Sequence, residues 1–237
     1  MASKRGRLDQ FVARALQVSK KAVRQLLINN HILVDGTVAK SPDLQIDEFS
    51  HIVCNDVVLQ QHQKQYYMLN KPDGVVSATI DDKHPTALSL LKGVNPAMLH
   101  IAGRLDLHST GLLLITNDAK WSAALMAPDH KVAKQYIVTL AHPISDDYIE
   151  AFAKGMYFAF EDITTQPAQL TMLSAHQARV VLREGKYHQI KRMFGRFRNP
   201  VVALHRESIG GITLDNTLLP GEYRVLTQAE VDCIIQH

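Results

Sequence analysis

The residues best suited to chemistry lie between His100 and Thr116, where Arg104 and Asp106 stand in a polar stretch bounded by Gly103 and Gly111. In an extended chain, residues two apart point the same way. Glycines at both ends would let a loop turn tightly over a cleft. A carboxylate held there suits nucleophilic attack or proton abstraction. On spacing alone it suits equally well a surface cap or an ion pair with Arg104. A second concentration runs from Glu184 to Phe194 and carries Lys186, His188, Lys191 and Arg192. Helical spacing there puts Ile190, Met193, Phe194 and Phe197 on one buried stripe and Lys191 off it. An enclosed carboxylate loses hydration, which disfavours its anion, and a nearby cation offsets that loss. Tyr136 heads the apolar stretch Tyr136–Leu140. By pattern it is a core residue, yet its flat ring and hydroxyl would also suit a base.

These residues need elements to hold them. Leu8, Phe11, Val12, Ala15 and Leu16 follow the spacing of an amphipathic helix. Ser19 is placed to cap a second helix with Ala22, Val23, Leu26 and Leu27 on its apolar side and Lys20, Lys21 and Arg24 on the other. Asp35-Gly36 and Asn55-Asp56 each separate short β-prone runs, which predicts two hairpins. The polar run Gln60–Gln65 reads as a linker. Beyond it, strands are predicted at Tyr66–Asn70, Leu112–Thr116, Tyr136–Leu140, Leu170–Leu173, Arg179–Leu182 and Val201–Leu204. Helical patterns fall near 86–91, 119–126, 146–154 and 188–198. Strands and helices without a regular βαβ rhythm predict an α+β fold. The expected organisation is a small module at 1–60, a linker at 61–65 and a larger domain at 66–237.

Charge sharpens this division. The net charge of +3 hides a segment of +6 in residues 1–30 and one of +5 in residues 183–208, leaving −8 elsewhere. Two basic islands on an acidic body suit a polyanion held at two places, though solvated helix faces would give the same count. No apolar run approaches the roughly 20 residues needed to cross a bilayer. Cys54 and Cys233 lie far apart and form no CxxC pair. With no HExxH among twelve histidines, no metal site is expected. His84, His100, His108, His188 and His205 are assigned structural roles or contacts to that polyanion. The reading is of a cytoplasmic protein, outside the membrane and without metal.

Gly103-Arg104-Leu105-Asp106, followed by Ser109 and Gly111–Leu114, resembles the signature loop of the RsuA/RluB-type pseudouridine synthases. Leu69-Asn70-Lys71-Pro72 with Gly74, Lys134-Gln135-Tyr136 and Glu184–Phe194 resemble three further family motifs in the expected order. Residues 7–59 resemble the S4-type RNA-binding module that the family often carries. Tyr66–Pro72, His84-Pro85-Thr86, His205–Leu214 and Pro220–Arg224 are especially close to its small-subunit branch.

The resemblance implies a catalytic domain built on a mixed, largely antiparallel sheet with flanking helices. It also implies isomerisation of uridine to pseudouridine in small-subunit (16S) ribosomal RNA, at uridine 516. Asp106 becomes the essential carboxylate, Tyr136 the residue against the target base and Lys191 the cation beside Asp106, with Arg192 as second choice. Arg104, Arg192, Lys71 and Ile190 are expected to bind substrate. Arg104 would fill the space of the flipped uridine or hold its phosphate. Arg7, Lys20, Lys21, Arg24, Arg196 and Arg198 are expected to contact RNA phosphates. The reaction rearranges one nucleoside without net gain or loss, so no cofactor is expected, and a monomer suffices. Two other readings stay open: a sister enzyme of large-subunit RNA, and a non-catalytic RNA-binding factor of ribosome assembly. The second has no need of Asp106, Tyr136 and Lys191 together.

Overall fold

A computed structural model of the chain describes residues 5–235, so Lys4 of the basic N-terminal segment lies outside the described residues. The chain divides into two compact units between Gln65 and Tyr66. In the first, β1 (Gly6–Arg7) leads into α1 (Leu8–Leu16) and α2 (Lys20–Ile28), followed by β2 (Ile32–Val34), β3 (Thr37–Val38), β4 (Gln45–Ile46), β5 (Ile52–Cys54) and β6 (Val57–Gln60). The Ser19 hydroxyl accepts from the Ala22 amide at 3.2 Å, so the predicted cap is present. Both predicted hairpins form. Asp35 and Gly36, and likewise Asn55 and Asp56, take the positive φ values that a two-residue turn between twisted strands requires. Leu8, Val12, Val23, Leu27, Ile32 and Ile52 close a small core. Gln60 belongs to this unit rather than to a linker: its side-chain amide donates to the carbonyls of Asp47 and Ser50 at 2.8 and 2.9 Å.

The second unit is an α+β domain. Its strands are β7 (Tyr66–Lys71), β8 (His100–Ala102), β9 (Ser109–Thr116), β10 (Lys134–Leu140), β11 (Tyr157–Phe158), β12 (Ile163–Thr164), β13 (Gln169–Ser174), β14 (Gln177–Leu182), β15 (Val201–Ile209), β16 (Ile212–Thr213) and β17 (Tyr223–Val225). The helices are α3 (Ala119–Met126), α4 (Asp147–Lys154), α5 (Gln189–Gly195) and α6 (Gln228–Ile235). The main sheet runs β13-β14-β10-β15-β9-β7-β17, with β8 beside β9 and β16 beside β15. Every pairing is antiparallel except β9 with β15. One sheet face packs with Phe152 of α4 and Ile190, Met193 and Phe194 of α5. The other packs with Trp121 and Leu125 of α3 and Val231 and Ile234 of α6.

The parallel pair changes the meaning of Gly111. It lies inside β9 opposite Arg206 of β15, not at the end of a loop. A Cβ there would meet the Arg206 carbonyl oxygen at 2.3 Å, and φ is +99°. Gly111 thus lets two backbones approach, which a side chain would prevent. Across the other edge of β9, Gly111 faces Lys71 of β7. Lys71 and Arg206 therefore flank the start of β9 from both sides.

Candidate active site

The link between β8 and β9 carries Asp106, and its backbone is fixed at almost every residue. The Ser77 hydroxyl donates to the Leu105 carbonyl at 2.8 Å and accepts from the Leu105 amide at 3.0 Å. The Gly74 amide donates to the Leu107 carbonyl at 3.1 Å. Arg206, 1% exposed, donates to the carbonyls of Gly103 at 2.7 Å, Arg104 at 3.3 Å and Leu112 at 2.8 Å. Lys71, fully buried, donates to the carbonyls of Pro72 and Leu107 at 3.0 Å and of Ser109 at 2.7 Å. Burial pushes the Lys71 ammonium down to about 8, with Asp73 and Asp106 pulling the other way. It remains mostly charged at neutral pH.

Asp106 so held faces two nitrogen groups from the start of α5. Lys191 Nζ lies 3.6 Å from Asp106 Oδ2, and His188 Nε2 lies 3.4 Å from Asp106 Oδ1. The α5 stripe sets this geometry: Ile190, Met193 and Phe194 are buried, which leaves Lys191 turned toward the carboxylate. At the first residue of the helix, the buried Gln189 side chain accepts from the Lys186 amide at 3.0 Å and donates to Glu184. Gly103, Arg104, Leu105, Asp106, Ser109, Lys134, Tyr136, Ile190 and Lys191 are among the residues around one cavity of about 260 Å³. Tyr136 is 8% exposed, and the Arg206 guanidinium lies 6.0 Å from its ring centroid. The Ser109 hydroxyl is buried and has no hydrogen-bond partner among the described residues. Burial holds the Lys134 ammonium below its usual range.

Asp106, Lys191, Tyr136, Arg104 and Ile190 thus meet at one place. Lys71 does not line it: the predicted substrate ligand is a buried support of the loop, because all three of its contacts are backbone carbonyls. Nor does Arg192 stand beside Asp106. Its guanidinium forms both bonds to Glu161 and lies 3.9 Å from the Phe158 ring centroid. In the first unit, Arg7 is paired through two 3.0 Å bonds with the buried Asp9, while Lys20, Lys21 and Arg24 are exposed along α2. Arg196 and Arg198 are exposed beyond α5. Sequence reasoning missed His188 as a partner of Asp106 and counted Arg206 in the basic island of residues 183–208. Among the described residues, no group of three or more His, Cys, Asp or Glu side chains could hold a metal ion. No helix among them is long and apolar enough to cross a membrane.

Comparison with known proteins defines the family of the chain. The RNA pseudouridylate synthase family model matches residues 65–195, and the S4 domain model matches residues 6–52. A ribosomal small subunit pseudouridine synthase A of Vibrio cholerae is 47% identical over 228 residues, spanning 96% of this chain and 99% of that protein. Its counterpart in Escherichia coli strain K12 is 44% identical over 230 residues, spanning 97% and 100%. A crystal structure of a pseudouridylate synthase superposes with a TM-score of 0.70 at 38% identity, covering 96% of this chain and 99% of that one. The chain belongs to the RNA pseudouridylate synthase family. It is a pseudouridine synthase that carries an S4 domain ahead of its catalytic unit.

Proposed function

We propose that this enzyme isomerises one uridine of small-subunit ribosomal RNA, at position 516 by resemblance, with Asp106 as the essential carboxylate. The observation that carries the reading is Asp106 at the cavity with Lys191 and His188 facing its two oxygens. The small-subunit target is supported by the names of relatives 44–47% identical over nearly the whole chain.

In the reaction the N1–C1′ bond breaks, the uracil turns and a C5–C1′ bond forms. C5 loses a proton and N1 gains one, so the balance closes without a donor or acceptor. Asp106 serves at C1′ as nucleophile or at C2′ as base. Lys191 and His188 stabilise its anion in a partly enclosed site. Tyr136 lies against the uracil, and the buried Ser109 hydroxyl, without a hydrogen-bond partner among the described residues, lines the same cavity. A cavity of about 260 Å³ suits one extruded nucleotide, so the uridine leaves its stack before reacting. Arg104, exposed at the mouth, holds the flipped phosphate or fills the gap. Residues 1–60 grip RNA phosphates through α2. Every cavity residue comes from one catalytic unit, which supports action as a monomer, and a ribosomal substrate supports a cytoplasmic location.

The test maps pseudouridines in small-subunit RNA, as transcript and as partly assembled particle, with wild type and Asp106→Asn. One site made by wild type alone is expected. No site in either form moves the target to large-subunit RNA, and product from Asp106→Asn overturns the role of the carboxylate.

A further inference from the structure

We propose that Tyr187 is a stacking platform for an unpaired RNA base beside the target uridine; this rests on the reading of the Asp106 cavity as the uridine site. Tyr187 is 75% exposed. One ring face is covered by the His188 imidazole, with centroids 3.9 Å apart and planes at 19°. The same imidazole faces Asp106 on its Nε2 side at 3.4 Å, so a single ring separates Tyr187 from the carboxylate. His188 has φ +47°, a left-handed backbone that non-glycine residues rarely adopt and that clusters at functional sites. The Tyr187 carbonyl accepts from Arg192 Nη1 at 3.4 Å, and Arg192 is locked by Glu161 and Phe158. An aromatic ring left largely to water thus rests one face on the His188 imidazole, with its backbone carbonyl bonded to Arg192.

Charge favours a nucleic acid as the occupant. Arg104, Lys186 and Lys191 line the adjoining cavity. The neighbouring carboxylates are already paired, Glu184 with Lys186 at 3.7 Å and Glu161 with Arg192. Extruding a uridine strips its neighbour of a stacking partner. A fixed aromatic face restores that contact whatever the base, because every base has a π-face.

The test uses the full chain and the ribosomal RNA that wild type isomerises, whole and with an abasic nucleotide 5′ or 3′ of the target. Affinity and KM are measured for wild type, Tyr187→Ala and Tyr187→Phe. Tyr187→Ala is expected to lose roughly 5- to 150-fold in affinity, the range of alanine effects at stacked bases, and Tyr187→Phe to stay near wild type. On the RNA abasic at the contacted neighbour, wild type should weaken by a similar factor and Tyr187→Ala no further. Wild-type affinity in Tyr187→Ala, or full multiplication of both losses on both abasic RNAs, overturns the platform. A target found in large-subunit RNA would overturn the small-subunit reading while the abasic test proceeds beside that uridine. Product from Asp106→Asn would be scored separately from these binding ratios.

Discussion

The two units use the same residue types in opposite ways. On α2, Lys20, Lys21 and Arg24 stand in solvent while Val23 and Leu27 behind them are buried. Such cations stay hydrated, contribute little to folding and remain available to phosphates. In the catalytic unit, Lys71 and Arg206 have left water almost completely, and each donates to three backbone carbonyls. Their desolvation is costly unless every donor finds an acceptor. Apart from the Pro72 carbonyl beside Lys71 itself, the acceptors they find belong to the Asp106 loop and its edges. The charge that stays in solvent on α2 is drawn inside at Lys71 and Arg206, where it braces backbone.

The strongest way to break this contrast is Arg206→Met. Three carbonyls lose a buried donor, so a loss of about 3 kcal/mol or more is expected from unfolding in urea, together with severe loss of activity. Arg196→Ala, an exposed arginine, should stay within about 0.5 kcal/mol; equal effects would erase the distinction. Next comes the pH response of Lys71. Its folded value is about 8, whereas an unfolded lysine keeps its proton to about 10.4. Between these values the unfolded chain binds more protons, so this group adds stability as pH rises. The stability difference between wild type and Lys71→Met should climb between about pH 8 and 10, and a flat difference would contradict the burial argument. A smaller effect is expected from changing Lys20, Lys21 and Arg24 to alanine together. RNA binding should weaken with folding intact, and the log–log salt slope should fall by roughly two to three if each cation meets one phosphate. The smallest is Ser19→Ala, which should cost about 1 kcal/mol through the lost cap of α2, leaving kcat on saturating RNA unchanged.

Much of this was legible in the sequence, and the failures share a cause. Periodicity placed α1 and α2 because each has one buried side, and unbroken apolar runs placed the central strands β7 and β9, which are buried on both. Motif order gathered Asp106, Tyr136 and Lys191, which the fold brings to one cavity. Charge counting misfiled Arg206. Its alternation with Leu204 in β15, both buried, was the available clue to an inward position. Lys71 closes a strand in which Tyr67, Met68, Leu69 and Asn70 are all buried, a hint that it too faced inward. His188 gave no such clue. Its reach to Asp106 depends on a left-handed backbone and on an 82-residue separation that spacing rules do not cover. Gly111 looked like a loop hinge because nothing local reveals a parallel partner 95 residues away.

That long-range pairing orders events during synthesis. Arg206 reaches back 102 and 103 residues to the carbonyls of Arg104 and Gly103, and contacts so distant along the chain form late. As the chain emerges from its N-terminus, the small module can close early, but the Asp106 loop waits for β15. A nascent chain that ends before Arg206 carries its aspartate loop without that arginine's bonds to the Gly103, Arg104 and Leu112 carbonyls, so the loop is fully braced only once β15 has been made.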